Sequence, residues 1–498
     1  MNEKKKKILA YFLEKGYLAS PDVLDILEQK DFSFTQKIIL PLGGRTIIAK
    51  EDLCHEDTES KSKTETPTEN SAAAEKATKD FEICINYKDE QSNNTIQEFV
   101  MYFRRRFNLT TQAIRARQEM AENVPISRLK KMETGENVSF IGSVVEKSIT
   151  KNNNLIIKVE DLSSSITVIA NKNNKEAFEK AKELCLDEVV GFIGTLNKDV
   201  IYVNDIVWPD LPVGREIKKA QKEEYAAFIG DLHLGSKAFL KKEFEEFISW
   251  LNGKTGSGEQ ISLAKKVKYL FIVGDLVDGV GIYPDQEEEL DIKDIYEQYK
   301  ELSKYLQKIP ENITIFICPG NHDAVRISEP QPPIYNDFVE PILAFKNVYL
   351  VSNPAMITIS KTDTFSGLDI LLYHGFSFPY YGDSVESIRT AGGLEKTDLI
   401  SNYLLKRRHL APTHGSTMYM PNYEKDPLFI PQTIDFFITG HIHRSMFSNY
   451  RSVTCINCSC WISQTKYQEK VGLKPQPGRV AIVNLQTRKG KILKFAGD

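Results

Sequence analysis

The spacing of apolar and polar residues divides the chain into stretches of different character. Residues 1–45 carry a helical period. Ile8, Leu9, Tyr11, Phe12 and Leu13 mark one segment, Val23, Leu24 and Leu27 another, and Ser20-Pro21-Asp22 is a helix start between them. A small helical docking module is expected there. From 46 to 79 Glu, Lys, Ser, Thr and Ala dominate, and such a stretch buries too little apolar surface to order itself, so a flexible linker is expected. Cys54 and His55 near its start are two isolated donors, which is too few for a metal site. Residues 80–130 form a connector around Phe99-Val100-Met101-Tyr102-Phe103-Arg104-Arg105-Arg106-Phe107. Interleaved aromatics and arginines can stack on bases and hold phosphates. The reading favoured here is an amphipathic helix with its aromatic face in a core and its arginines in water.

Between 131 and 212 the period becomes two. Val138–Val145, Leu155–Val159, Ile166–Ala170, Val189–Ile193 and Val200–Ile206 read as strands, and a helical piece, Lys175–Leu184, follows the third. Five short strands with a helix after the third predict an oligonucleotide-binding-type barrel. Such barrels hold single strands or dock proteins, and the fold does not choose between them. From 213 to 498 apolar strands alternate with helical stretches: Ala226–Ile229, Tyr269–Val273, Ile313–Ile317, Ile370–Tyr373 and Phe436–Ile438, with closing strands over 478–495. That alternation predicts a layered α/β core, so the whole is expected to be a multidomain α/β protein.

Each of those five strands ends in polar residues able to bind metal: Gly230-Asp231-Leu232-His233, Gly274-Asp275-Leu276-Val277-Asp278, Gly320-Asn321-His322-Asp323, His374-Gly375 and Gly440-His441-Ile442-His443. The chain has only 8 histidines, and five of them stand here. Alternate residues after a strand project the same way and can reach one ion. Mixed carboxylate, imidazole and amide donors suit manganese, iron or zinc better than calcium. A carboxylate such as Asp275 can bridge two ions, and two ions about 3.5–4 Å apart clamp a phosphate and activate a water.

Composition narrows the rest. A net charge of −4 leaves nucleic-acid contact to local basic patches. No apolar run is long enough to span a membrane, and no cleavable apolar stretch follows the basic Met1–Lys7. The 7 cysteines are odd in number and scattered, which suits a reducing cytosol, so a cytoplasmic location is expected.

The five strand-end motifs resemble the calcineurin-like metallophosphoesterase superfamily, whose α/β sandwich is therefore expected over 213–498. The resemblance implies that Asp231, His233, Asp275 and His443 hold one metal and Asp275, Asn321, His374 and His441 the other. It makes His322 the group that stabilises or protonates the leaving oxygen, with Asp323 fixing its tautomer. Two divalent ions are implied, with manganese the leading candidate and magnesium, iron or zinc as alternatives. The flanks Asp231–Lys237, Gly274–Pro284, Asp294–Tyr299, Pro319–Arg326, Glu329–Pro332 and Leu405–Pro412 resemble the small subunits of archaeal family-D DNA polymerases, from about residue 95 to the C-terminus. That resemblance implies a proofreading 3′–5′ exonuclease acting on DNA and docked on a large catalytic subunit, with a sliding clamp or other replication factors as further candidate partners. A mainly structural subunit and an independent phosphatase or phosphodiesterase are the competing readings.

Weaker signals remain. Lys406-Arg407-Arg408-His409 could hold a DNA backbone, or be a solvated face or partner contact. His414 fits a surface or supporting role. Cys455, Cys458 and Cys460 lack a second pair to complete a zinc site, so they are expected to be small buried residues. By resemblance, Trp461, Gln464 and Tyr467 lie in a segment facing the large subunit.

Overall fold

The computed structural model describes residues 79–88, 95–421, 425–470 and 472–497, with isolated positions nearer the N-terminus. The helical module expected over 1–45 and the linker over 46–79 otherwise lie outside the described residues. The chain divides into two compact units, Met1–Ala77 and Thr78–Asp498, and the second holds everything that follows.

After strand β1 (Glu82–Asn86) comes the long helix α1 (Ile96–Arg115). Its start is a capping box: Thr95 accepts from the Glu98 N–H and the Glu98 carboxylate accepts from the Thr95 N–H. The amphipathic pattern is as expected, since Tyr102 is fully buried and stacks on Tyr419 at 4.5 Å. One arginine departs from it. Arg106 is buried, with Nε 3.1 Å from Asp426 and Nη2 donating to the Tyr102 hydroxyl at 2.7 Å.

The period-two region is β2 (Asn137–Ile149), β3 (Leu155–Glu160), β4 (Ser165–Ala170), helix α2 (Lys175–Lys182), β5 (Val189–Asn197) and β6 (Val200–Val207). The strands close a barrel in the order β2-β3-β4-β6-β5, with only the β4–β6 pairing parallel. Alternate residues fill it, and Phe140 stacks on Phe192 at 5.3 Å inside. Ala177 and Ala181 of α2 pack against the same core.

Beyond the barrel two six-stranded sheets form. Their elements are β7 (Tyr225–Ile229), α3 (Lys241–Leu251), β8 (Val267–Val273), α4 (Ile295–Leu306), β9 (Thr314–Cys318), β10 (Val348–Leu350), β11 (Ala355–Ile359), β12 (Leu368–Leu372), α5 (Thr397–Arg407), β13 (Phe436–Thr439), β14 (Met446–Tyr450), β15 (Val453–Asn457), β16 (Arg479–Asn484) and β17 (Gly490–Lys494). The first sheet runs β10-β9-β8-β7-β16-β17 and the second β14-β15-β13-β12-β11-β1. Strand alternation explains the layers. Phe228, Phe271 and Phe316 from the first sheet meet Ile370, Phe436 and Ile438 from the second in one core. The opposite faces bury Ala227, Leu270 and Ile315 under α3 and α4, and Leu371 and Phe437 against α5. Each large apolar side chain so buried contributes roughly 1.5–3 kcal/mol. β7, β8 and β9 run parallel, as do β12 and β13, so the C-terminal ends within each set lie together.

The basic run at the end of α5, read from sequence either as a DNA contact or as a solvated face or partner contact, is fastened inside this unit. Arg407 and Arg408 are buried. Arg407 pairs with the buried Glu188 beside β5 at 2.8 Å, Arg408 Nε donates to the Ile430 carbonyl at 3.1 Å, and Lys406 sits 3.9 Å over the Trp208 ring. His409 Nε2 lies 2.9 Å from Asp426. The run therefore ties the barrel to the sandwich. His414 is exposed and meets the Tyr419 hydroxyl, in keeping with a surface role.

Candidate metal centre

The five polar strand ends meet along the C-terminal edges of the two sheets. Asp231, His233, Asp275 and Asn321 leave β7, β8 and β9; His374, His441 and His443 leave β12 and β13. The loops are laced together before any side chain acts. Asp231 N donates to Gly274 O at 2.9 Å, His233 N to Asp275 O at 3.0 Å, and Gly440 N to His374 O at 2.8 Å. Asp231, His233, Asp275, His441 and His443 all adopt φ between 49° and 68°. That left-handed region is uncommon for side-chain-bearing residues, although Asp and His enter it more readily than most. Gly274 has φ of 76°, and a Cβ there would run into the His374 imidazole.

Three groups of donors result, Asp231 with His233 and His443, Asp275 with His374 and His441, and His233 with Asp278 and His322, the donor atoms of each lying within 4.8 Å of one another. In the first, His233 Nε2 is 3.1 Å from His443 Nε2, and His443 Nε2 is 3.4 Å from Asp231 Oδ1. In the second, His374 Nε2 lies 3.2 Å from Asp275 Oδ2 and 3.0 Å from Asn321 Oδ1. Asp275 Oδ2 is also 3.7 Å from His233 Nε2, which puts this one oxygen between these two groups. Imidazole, carboxylate and amide donors gathered this closely make a set that suits a divalent cation.

The electrostatics fit a cation. Burial opposes charge on Asp275, but the neighbouring His374 and His322 outweigh it and hold its carboxyl well below the usual range. Burial likewise opposes the His374 cation, and the Asp275 charge overrides it, raising His374 to about 10. His441 is driven down to about 3 by burial and by His374.

His322 lines the same cleft, and burial lowers its pKa. Its Nδ1 meets the Asp278 carbonyl oxygen at 2.7 Å, so that nitrogen carries a hydrogen and donates it. Asp323 does not orient it. The Asp323 carboxylate turns the other way and accepts from Gly320 N at 2.8 Å, from Leu276 N at 3.2 Å and from the Tyr299 hydroxyl at 3.1 Å. Successive residues of this turn point apart, and Asp323 braces the loop. Burial, followed by the charge of Asp275, pushes its carboxyl up to about 7.

Two supporting side chains carry roles the sequence reading did not assign. Asp278 Oδ1 lies 3.1 Å from His233 Nδ1. Its place three residues after Asp275 was the available signal. The Gln468 amide meets His443 Nδ1 at 2.7 Å, and nothing in the local sequence marks it.

Trp461 does not face outward as expected. It is fully buried and packs on Phe244 at 4.9 Å, because the residues following β15 fold back under α3. Gln464 is exposed, with Nε2 donating to Leu473 O at 2.8 Å, and the Tyr467 side chain lies outside the described residues. Cys455, Cys458 and Cys460 are buried free thiols, as expected. Among the described residues no helix is long and apolar enough to cross a membrane.

The calcineurin-like phosphoesterase family model matches residues 226–445. A DNA polymerase II small subunit of Methanocaldococcus jannaschii is 42% identical over 393 residues, 78% of this chain and 64% of that protein. Proteins of the same name from Methanothermobacter thermautotrophicus and Thermoplasma acidophilum are 36% and 34% identical, over 84% and 97% of this chain and 83% and 91% of theirs. With a phosphoesterase core built around these strand ends and relatives matched along most of their length, the chain belongs to the DNA polymerase II small subunit family.

Proposed function

We propose that this chain works as the small subunit of a DNA polymerase, docked on a separate large subunit, and that it hydrolyses the terminal phosphodiester at DNA 3′ ends. The names of its relatives support the first part. The observation that carries the second is convergence. Seven donors from five separate strand ends come together with His322 beside them.

Asp231, His233, Asp275 and His443 would hold one divalent ion, and Asp275, Asn321, His374 and His441 a second. Manganese is the leading candidate, with magnesium, iron or zinc as alternatives. Bound there, the ions supply positive charge against the phosphate and an activated water. Asp278 and Gln468 fix the imidazoles of His233 and His443. Because the His322 Nδ1–H is committed to the Asp278 carbonyl, Nε2 is the nitrogen that would take up and give back a second proton. From there that proton would pass to the 3′ oxygen as the P–O bond breaks.

His322→Ala tests this. The variant should lose 10²-fold or more of the Mn²⁺-dependent degradation of 3′ ends, as expected for a lost proton donor, while still co-purifying with the large subunit. Unchanged degradation would remove His322 from the reaction.

A further inference from the structure

A second cavity, of about 610 Å³, lies between the end of α1, the connector from β6 to β7 and the stretch ahead of β13. It shares no lining residue with the cleft beside the metal centre. Arg408 lines it and is only 6% exposed. Two contacts fix the guanidinium plane. Nε donates to the Ile430 carbonyl at 3.1 Å, and the group lies over the Phe429 ring, 4.8 Å from its centroid. Among the described residues no carboxylate pairs with Arg408, and its two terminal nitrogens have no hydrogen-bond partner.

Buried charges are ordinarily paired, because an isolated charge out of water is costly. The neighbouring buried arginines obey this: Arg106 meets Asp426 and Arg407 meets Glu188. Arg408 does not. Burial brings its guanidinium down to about 10, and Asp210 offsets this only in part. Asp210 is the one acid lining the cavity, and it is already engaged, by Arg451 and by the Tyr450 hydroxyl at 2.9 Å. Arg117 adds a second, half-buried cation. Excess positive charge therefore faces the cavity.

The remaining lining describes the anion. The two terminal nitrogens of a guanidinium form a fork that matches phosphate oxygens. Gln112, Gln118 and Gln432 add amide donors and acceptors, while Ala113, Ala116, Pro212 and Val213 give an apolar side. A lone phosphate or one acidic side chain leaves most of this space unfilled, and the volume lies within the range of small-molecule sites, roughly 300–1,000 Å³. An internal diester has chain leaving on both sides and lies across the mouth of such a cavity. A terminal phosphate, with more charge and a free end, can reach a buried guanidinium.

We propose that this cavity binds a small phosphomonoester of nucleotide size, with its phosphate on the terminal nitrogens of Arg408 and its organic body against Ala113, Ala116, Pro212 and Val213.

The test is calorimetric titration of the full chain in EDTA, which keeps divalent ions from the metal centre. The probes are adenosine 5′-monophosphate, adenosine, inorganic phosphate and an oligothymidylate without terminal phosphates. The monophosphate should bind about tenfold or more tighter than adenosine, the usual gain from hydrogen bonds to a charged group, and tighter than inorganic phosphate. Arg408→Gln should erase that preference. Because Arg408 is buried, Gln432→Glu at an exposed position gives a second reading: its carboxylate should repel the monophosphate and leave adenosine unaffected. A monophosphate that binds no tighter than adenosine overturns the proposal, as does a preference that both variants keep. Oligothymidylate binding that both variants weaken would overturn it in favour of a strand contact. Loss of co-purification with the large subunit in Gln432→Glu, with no monophosphate bound by the parent, would overturn it in favour of a partner's carboxylate.

Discussion

Asn353 Nδ2 donates to Gln331 Oε1 at 2.7 Å, and this buried amide pair stands directly behind the metal centre. Asn353 Oδ1 accepts from His374 N at 2.9 Å, and Gln331 Nε2 donates to Gly320 O at 3.0 Å. One pair thus fixes the loop that carries Asn321 to the loop that carries His374. Asn353→Ala would strand the His374 N–H and Gln331 Oε1, each at about 1–3 kcal/mol. Calorimetric titration with Mn²⁺ should show 10- to 100-fold weaker binding, the usual cost of losing such a support. Affinity equal to that of the parent would mean that the two loops hold their positions without the pair.

Glu329 makes the stability of the fold depend on pH in an unusual direction. It is buried, Oε2 meets the Tyr373 hydroxyl at 3.2 Å, and burial raises the carboxyl to about 7. In the unfolded chain it titrates near about 4.3. Its contribution is therefore full below about pH 4.3 and is lost as pH rises through about 7, where a buried carboxylate must form. Glu329→Gln removes that loss. Urea unfolding at pH 5 and pH 8 should show the variant gaining on the parent at the higher pH, by up to roughly 3 kcal/mol at about 1.36 kcal/mol per unit. A pH-independent difference would count against this account.

The Arg407–Glu188 pair makes a different kind of prediction. Removing one partner of a buried ion pair costs about 3–5 kcal/mol, because the other is left charged and alone. Arg407→Ala should lower the unfolding free energy from chemical denaturation by that amount, and the double variant with Glu188→Ala should recover part of it. Lys406→Ala, over Trp208, should leave the salt dependence of DNA binding unchanged. A slope shallower by about one, the mark of a lost phosphate contact, would restore the DNA-binding role.

Trp461→Ala should act as a core truncation, destabilising by about 3–5 kcal/mol. Thermal unfolding and co-purification with the large subunit separate the two explanations. A variant that unfolds like the parent but no longer co-purifies would show that Trp461 is a docking residue after all.

Strand identity and the polar residues at the strand ends are local properties, and the sequence expressed them well. A β-branched run followed by Gly-Asp or Gly-His reads the same before and after folding. The barrel strands were legible for the same reason. What could not be read depended on distant neighbours. Gln468 reaches His443 only because the chain returns after β15, and β1 joins a sheet whose other strands come hundreds of residues later. Arg407 looked like any solvated cation because a charge run has the same pattern whether water or Glu188 faces it. Asp323 beside His322 suggested a pair, but neighbours on a turn diverge.

The donors of the metal centre come from both sheets: Asp231, His233, Asp275 and Asn321 from the first, His374, His441 and His443 from the second. An ion held there is a cross-link between the two halves of the sandwich, made without a covalent bond. The stability of the sandwich should then follow ion supply by mass action, gaining about 2.7 kcal/mol at a free concentration one hundred times the dissociation constant, with the melting temperature rising accordingly. A chelator should loosen the scaffold as well as silence the chemistry.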